Sequence, residues 1–113
     1  MQFMALIYAA EGYQESYDGD MMADYMKFGE EANAAGVMKA GDALQPVSTA
    51  SSVRVRAGKS TITDGPFAET KETLGGYYLL ECKDLDEALK WAAKIPTAKH
   101  GTIEVRPVMV IEW

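Results

Sequence analysis

The chain has 113 residues, of which 48% are hydrophobic, and a formal net charge of −6. This length predicts one domain, residues 1–113, and the acidic balance argues against binding nucleic acid or an anionic membrane, because both require a basic surface. No apolar run reaches the roughly 18 residues of a membrane span, and the single cysteine, Cys82, cannot form an internal disulfide, so we expect a cytoplasmic protein.

The N-terminal third of the chain predicts a strand, a helix and a second strand. Residues 2–9 are apolar without a basic leader, which favours a strand over a signal peptide. A helix is predicted from Asp20 to Ala35, with Gly36 as its stop signal, because one helix face is apolar. That face contains Met21, Tyr25, Phe28, Ala32 and Ala35. Val37 to Leu44 favours a second strand that is interrupted at Gly41.

The middle of the chain predicts a hairpin followed by a strongly apolar strand. Ser51 to Ala57 alternates between polar and apolar residues, Ala57 to Ser60 is typical of a hairpin turn, and Thr61 to Thr63 returns. Because the hairpin has one polar face, we expect it at an edge of the sheet. Leu74 to Cys82 is predicted as a strand, and Gly75-Gly76 near its start indicates a bulge or a close backbone approach.

The C-terminal third predicts a second helix and a final strand. The helix begins after Asp84, a capping residue, and ends at Ile95-Pro96, because proline disfavours a helical residue before it. The predicted buried stripe of this helix is Leu85, Ala88, Leu89 and Ala92, and we expect Leu89 to be fully buried. The last strand is predicted from Thr102 to Glu112.

This order of elements predicts an α+β, ferredoxin-like split β-α-β fold with an inserted hairpin and both helices on one face of an antiparallel sheet. The other face of such a sheet is usually polar where it meets water. Here the strands are apolar on both faces, over residues 3–8, 77–80 and 108–111. We therefore expect a homodimer in which a second copy covers the open face. The alternative is that the hairpin or a terminus folds over it.

The segment Thr63–Glu72 is the strongest candidate for a functional site. Asp64 precedes Gly65-Pro66, a combination typical of a rigid turn, and Glu69, Lys71 and Glu72 follow closely. We predict Asp64 as a catalytic base and Phe67, Glu69, Lys71 and Tyr77 as ligand contacts. The alternative is that Asp64 only accepts hydrogen bonds from its own loop and that the other residues are structural.

His100, the single histidine, is the second catalytic candidate, as a group for proton transfer. The alternative for His100 is a solvent-facing loop residue. Cys82 is predicted to be a core thiol, since no base lies near it in the sequence. Without clustered histidines or cysteines, and without a glycine-rich phosphate loop, no metal and no cofactor are predicted.

The run Thr63–Glu72, followed by Leu74-Gly75-Gly76-Tyr77-Tyr78, closely resembles the signature of the DGPF-type YCII-related proteins. Further matches are Ala40-Gly41, Leu44-Gln45-Pro46, Val53-Arg54-Val55, Ile95-Pro96 and Glu104-Val105-Arg106-Pro107. The resemblance covers nearly the whole chain and implies a dimeric ferredoxin-like α+β barrel. Some members are encoded beside, or fused to, extracytoplasmic-function sigma factors, so the resemblance also implies a sigma factor as an alternative partner.

Other YCII-related proteins carry a histidine in the first helix and an aspartate before a proline after the second helix, a pair proposed as catalytic, and a dehydrochlorinase belongs to the wider group. The corresponding positions here are Asp24 and Ile95, so we do not expect that chemistry to transfer. We expect a dimeric small-molecule-binding or accessory protein with a cleft near Asp64. One alternative is an acid–base enzyme that acts on a small organic substrate through the Asp64 loop, with Lys71 or His100 as partner. The other is a regulatory partner of a sigma factor.

Overall fold

The computed structural model describes residues 1–112, which form six strands and two helices. The strands are β1 (Gln2–Ala9), β2 (Met38–Ala43), β3 (Ser51–Arg56), β4 (Lys59–Asp64), β5 (Thr73–Glu81) and β6 (Thr102–Pro107), and the helices are α1 (Met21–Ala34) and α2 (Leu85–Ala92). Short 3-10 turns cover Tyr13–Ser16, Val47–Thr49 and Pro96–Lys99.

The centre of the fold is an antiparallel sheet with the strand order β2-β5-β1-β6. Every second residue of β1 is buried, from Phe3 to Ala9. These side chains share one core with buried residues of both helices, so α1 and α2 lie on the same face of the sheet. The core residues from the helices are Phe28, Ala32, Ala88 and Ala92. The predicted α+β, ferredoxin-like fold is confirmed, because this is the strand order of a split β-α-β unit.

Helix α1 follows the prediction closely. The Asp20 carboxylate accepts a hydrogen bond of 3.1 Å from the Ala23 amide and so caps the first turn. The predicted apolar face is the buried face, since Phe28 is 3% exposed and Ala32 is fully buried. Tyr25 is partly buried at the edge of the same face. The ring of Phe28 packs between those of Tyr78 and Trp91, which anchors α1 to both the sheet and α2.

The prediction for the buried stripe of α2 was half wrong. Ala88 and Ala92 are buried as expected, but Leu85 and Leu89 are 46% and 47% exposed. At about 100° per residue, the two leucines lie on the edge of the buried face rather than at its centre. The small alanines allow α2 to lie close against the sheet. The helix also ends at Ala92, earlier than the predicted Ile95-Pro96, and Pro96 instead begins a 3-10 turn.

The predicted hairpin forms, but not at an edge of the main sheet. Strands β3 and β4 pair only with each other and form a separate two-stranded sheet. Their two-residue loop, Ala57-Gly58, has positive φ at both residues, which fits the right-handed twist of a hairpin. Both strands are almost entirely exposed, and Val53 and Ile62 are 65% and 73% exposed. The described hairpin therefore does not cover the open face of the main sheet.

Two backbone features at the ends of the strands fix the shape of the sheet. The predicted bulge is confirmed, since Ile7 pairs with Gly76 and Tyr8 with Leu74, which leaves Gly75 as the extra residue. The last strand ends at Pro107 and not at the predicted Glu112. Pro107 lies opposite Phe3, near the start of β1, so little of the neighbouring strand remains beyond it to pair with.

The open face of the sheet is apolar along its two central strands. Met4, Leu6 and Tyr8 of β1 alternate with the buried residues of that strand and are only partly buried. Leu79 and Tyr77 of β5 pair with Met4 and Leu6 and so lie on the same face. No helix among residues 1–112 packs against this face, because both contribute to the core on the other side.

Candidate functional site

A cavity of about 440 Å³ lies at the end of the main sheet, where β2 ends and β5 begins. We call it the sheet-end cavity. Its lining comes from residues 7 and 9–14, Tyr25 of α1, residues 41–47 and residues 73–78. The cavity falls in the range of roughly 300–1,000 Å³ that is usual for small-molecule sites.

Glycines make the wall of this cavity possible. A Cβ atom on Gly41 would overlap the ring of Tyr78, and one on Gly76 would lie 2.9 Å from the carbonyl oxygen of Asp42. Only glycine therefore permits the close approach of β2, β5 and the Tyr78 ring. The lining positions Gly41, Gly75 and Gly76 on these two strands therefore present only backbone.

Three hydroxyl groups meet beside the sheet-end cavity. The hydroxyl of Thr97, which is fully buried, lies 2.6 Å from that of Tyr13 and 2.5 Å from that of Tyr25. Both tyrosines line the cavity. A buried hydroxyl requires hydrogen-bond partners, and the two tyrosines supply them for Thr97. We call Tyr13, Tyr25 and Thr97 the hydroxyl cluster.

Tyr25 of the hydroxyl cluster is uncharged at physiological pH. Burial raises the pKa of Tyr25 from 10.0 to about 12, and the hydrogen bond with Thr97 lowers it by less. Tyr25 therefore stays protonated and can donate a hydrogen bond across the whole physiological range. Tyr13 also contacts the sulfur of Met21, 3.7 Å from its hydroxyl, which is a weak acceptor.

A carboxylate lines the same cavity on β2. Asp42 accepts a hydrogen bond of 2.8 Å from the hydroxyl of Tyr77 on the neighbouring strand. This hydrogen bond raises the pKa of Tyr77, because ionisation of the phenol would bring two negative charges together. The only other acidic residue of the lining is Glu11, and no lysine or arginine of the described chain lines the cavity.

A second cavity, of about 550 Å³, lies between the sheet and the base of the hairpin. Its lining is mainly apolar and includes Tyr8, Leu44, Leu74 and Phe67. Phe67 is 80% exposed, so its ring borders the cavity without closing it. We call this the Phe67 cavity.

A profile of the YCII-related domain matches residues 1–113. The chain belongs to the YCII-related family. It is 48% identical over 67 residues to an uncharacterised protein of Rhizobium meliloti (strain 1021), a match that covers 58% of this chain. The aligned part is 54%, or about half, of the length of that relative.

A solved structure shares the fold of this YCII-related protein. It is 5-chloro-2-hydroxyhydroquinone dehydrochlorinase from Burkholderia phenoliruptrix in complex with 2,5-dihydroxybenzoquinone, and it superposes with a TM-score of 0.58. The sequences are 16% identical, and the match covers 96% of this chain and 94% of the other. At this identity, the likeness concerns the fold.

The predicted site residues of this YCII-related protein do not meet in one place. Tyr77 lines the sheet-end cavity and Phe67 borders the second cavity, whereas Asp64 lines neither. Asp64, Glu69 and Lys71 are exposed. Within residues 1–112 no hydrogen bond reaches the Asp64 carboxylate, and the turn is instead fixed by its backbone, with the Gly65 amide donating to the Ala50 carbonyl. The catalytic role of Asp64 stays a prediction.

His100 lines neither the sheet-end cavity nor the Phe67 cavity. It is exposed, and its ring packs against that of Tyr17 at a centroid distance of 5.0 Å. Tyr17 donates a hydrogen bond of 2.6 Å to Asp24, and this contact raises the pKa of Tyr17 to about 12. Asp24 and Ile95, the residues that the resemblance places at or near the family's His–Asp pair, line one shallow cavity of about 340 Å³. His100 does not contact the sheet-end cavity, and its role in proton transfer stays a prediction.

The hydroxyl cluster was not predicted from the sequence. Tyr25 was predicted only as part of the apolar face of α1, while Tyr13 lies between the predicted first strand and first helix and Thr97 lies beyond the end of the second predicted helix. Tyr13 and Thr97 are 84 positions apart, so no local pattern connects them. The one indication in the sequence was the hydroxyl of Tyr25 on an otherwise apolar helix face, because a buried tyrosine hydroxyl usually has a hydrogen-bond partner.

The part of the chain that the structure describes supports neither a metal-binding cluster nor a membrane-spanning helix. Residues 1–112 hold no group of three or more histidine, cysteine, aspartate or glutamate side chains arranged to bind a metal ion. Within the same residues, neither helix is long and apolar enough to cross a membrane. Cys82 is buried as predicted, and burial raises the pKa of its thiol, which favours the protonated form.

Proposed function

We propose that this YCII-related protein binds a small one-ring organic compound in the sheet-end cavity. The observation that carries the proposal is a mainly apolar cavity of about 440 Å³ that is lined by Tyr13 and Tyr25, whose hydroxyl groups meet at Thr97. A few polar groups in a mainly apolar cavity are typical of small-molecule sites, because they orient the ligand while burial provides affinity. The dehydrochlorinase with the same fold was solved with a ring compound, 2,5-dihydroxybenzoquinone, which supports this size and class of ligand.

We further propose that the protein is a homodimer in which the open face of the sheet is covered by a second copy. The apolar side chains of Met4, Leu6 and Leu79 support this, because exposed apolar patches on soluble proteins usually mark interfaces. All six residues of β4 are exposed, so the hairpin does not provide this cover within the chain. We expect the interface to bury about 1,200 Å² or more in total.

Titration calorimetry with acetophenone and with ethylbenzene, two uncharged one-ring compounds, tests the binding proposal. We expect saturable binding of at least one probe and its loss in Gly75→Leu, because the Gly75 Cβ position borders the cavity and meets only the Ile7 carbonyl, at 4.0 Å. Gly29→Leu is the matched control, since it adds the same side chain on α1, away from the cavity, where a Cβ meets nothing within 4 Å. Absence of binding by both probes, or equal binding by both variants, would contradict the proposal.

A further inference from the structure

The hydroxyl cluster has one more O–H proton than its own hydrogen bonds use. Tyr13, Tyr25 and Thr97 contribute one proton each, and the two contacts among them use two. Thr97 is fully buried, so the third proton can be presented only by one of the two tyrosines. Apart from the cluster itself, the sulfur of Met21 is the single acceptor within residues 1–112 that either tyrosine hydroxyl reaches. Sulfur accepts hydrogen bonds weakly.

The charges around the sheet-end cavity restrict what can accept this proton. The two charged side chains of the described lining, Glu11 and Asp42, are both carboxylates. They disfavour an anionic ligand, because no lysine or arginine of the described lining compensates them. The tyrosine hydroxyl offers a proton, and the raised pKa of Tyr25 keeps it in the donor form. An uncharged acceptor satisfies both conditions.

We infer that the hydroxyl cluster recognises an uncharged oxygen acceptor on the ligand, a carbonyl or hydroxyl oxygen, through a tyrosine O–H of Tyr13 or Tyr25. Thr97 acts as the positioning residue, since both tyrosine hydroxyl oxygens lie within 2.6 Å of the Thr97 hydroxyl oxygen. The inference rests on the proposed function, because it assigns a ligand class to the same cavity.

A desolvation argument gives the expected selectivity. In solution, water accepts the spare tyrosine proton, and a bound ligand displaces that water. A ring without oxygen leaves the donor unpaired in an apolar surrounding, whereas a carbonyl oxygen restores the hydrogen bond. Removal of the tyrosine hydroxyls should therefore weaken the binding of a ketone, whereas a hydrocarbon of the same shape should bind equally well or more tightly.

Binding of acetophenone and ethylbenzene, measured by NMR titration, tests this inference. The two compounds share a skeleton and differ in the carbonyl oxygen. We expect the double variant Tyr13→Phe/Tyr25→Phe to weaken the binding of acetophenone about tenfold and to leave the binding of ethylbenzene equal or tighter. The control Tyr8→Phe/Tyr17→Phe removes two tyrosine hydroxyls that do not line the sheet-end cavity, and should change neither affinity.

A second pair of variants keeps the test independent of the tyrosine rings. Thr97→Val removes the hydroxyl that positions the tyrosines and should weaken acetophenone several-fold, while Thr97→Ser should restore its binding. If the wild-type protein binds neither compound, the proposed function and this inference are both overturned. If it binds both, and the double variant weakens them equally or not at all, only the inference is overturned.

Discussion

The packing of α1 against the sheet makes a quantitative prediction for Phe28→Ala. Phe28 is 3% exposed, and its ring lies 5.1 Å from that of Tyr78 and 6.3 Å from that of Trp91. Removal of a buried phenylalanine side chain costs about 3–5 kcal/mol, and each aromatic contact adds to the loss. We therefore expect about 4 kcal/mol, near the middle of that range, and a smaller loss of about 1.5 kcal/mol or less for Phe28→Leu.

Urea unfolding followed by tryptophan fluorescence measures this loss. Trp91 contacts Phe28 directly, and protein concentration should be held constant because dimerisation would couple to unfolding. Met26→Ala is the matched control, since Met26 is 61% exposed on the opposite side of the same helix and should change stability by about 0.5 kcal/mol or less. A loss below about 1 kcal/mol for Phe28→Ala, or an equal loss for both variants, would refute the assignment of the buried face.

Three further predictions follow from other parts of the structure. Gly101→Ala should destabilise the protein by about 1–3 kcal/mol in urea unfolding, because the added Cβ would overlap the Tyr8 carbonyl. Gly29→Ala in α1 should stabilise the protein by about 0.5–1 kcal/mol. A loss of stability in both variants would contradict this contrast. The pKa of Tyr25 is raised from 10.0 to about 12, so the folded state holds this proton more tightly and its contribution to stability is lost as the pH rises from about 10 to 12. The free energy of unfolding measured over that interval should decrease less for Tyr25→Phe than for the wild type, and an equal decrease in both would be evidence against it. Leu79→Lys should convert a wild-type dimer into a folded monomer in sedimentation velocity, and a wild-type monomer at micromolar concentration would exclude the proposed interface.

The elements that the sequence predicted correctly depend on local signals. The apolar face of α1 follows from residues three and four apart, the caps at Asp20 and Asp84 from their side chains, and the bulge at Gly75 from its glycine pair. These interactions involve neighbours in the chain, so a single sequence contains them. The order of these elements along the chain predicted the ferredoxin-like fold, and the family resemblance implied the same fold.

The features that were predicted wrongly depend on contacts between distant segments. Leu89 is exposed because Ala88 and Ala92 are the residues of α2 that face the sheet. Which side of the helix faces the sheet is decided by the packing of the core and not by the helix sequence alone. The hairpin was expected at the edge of the main sheet, but β3 and β4 pair only with each other. The last strand ends at Pro107 because the neighbouring strand begins at Gln2.

The candidate site was even harder to predict from the sequence than the packing of the helices and strands. The sequence directed attention to Asp64, because charged residues near a glycine and a proline are conspicuous in one segment. The cavity that the fold forms is lined by Tyr13 and Tyr25, and Thr97 completes their hydrogen bonds from a buried turn. None of these three residues is unusual where it stands in the sequence. Their hydroxyl groups come together only when α1 and the turn at Pro96–Lys99 pack against each other.

The binding of a one-ring compound in the sheet-end cavity is tested most directly by amide chemical shifts of the isotope-labelled protein during titration with acetophenone. We expect saturable shifts at the amides of Tyr13, Gly75 and Gly76, which line the sheet-end cavity, and unchanged signals around Phe67. Shifts confined to the Phe67 cavity, or no shifts at concentrations up to the solubility of the compound, would contradict the account.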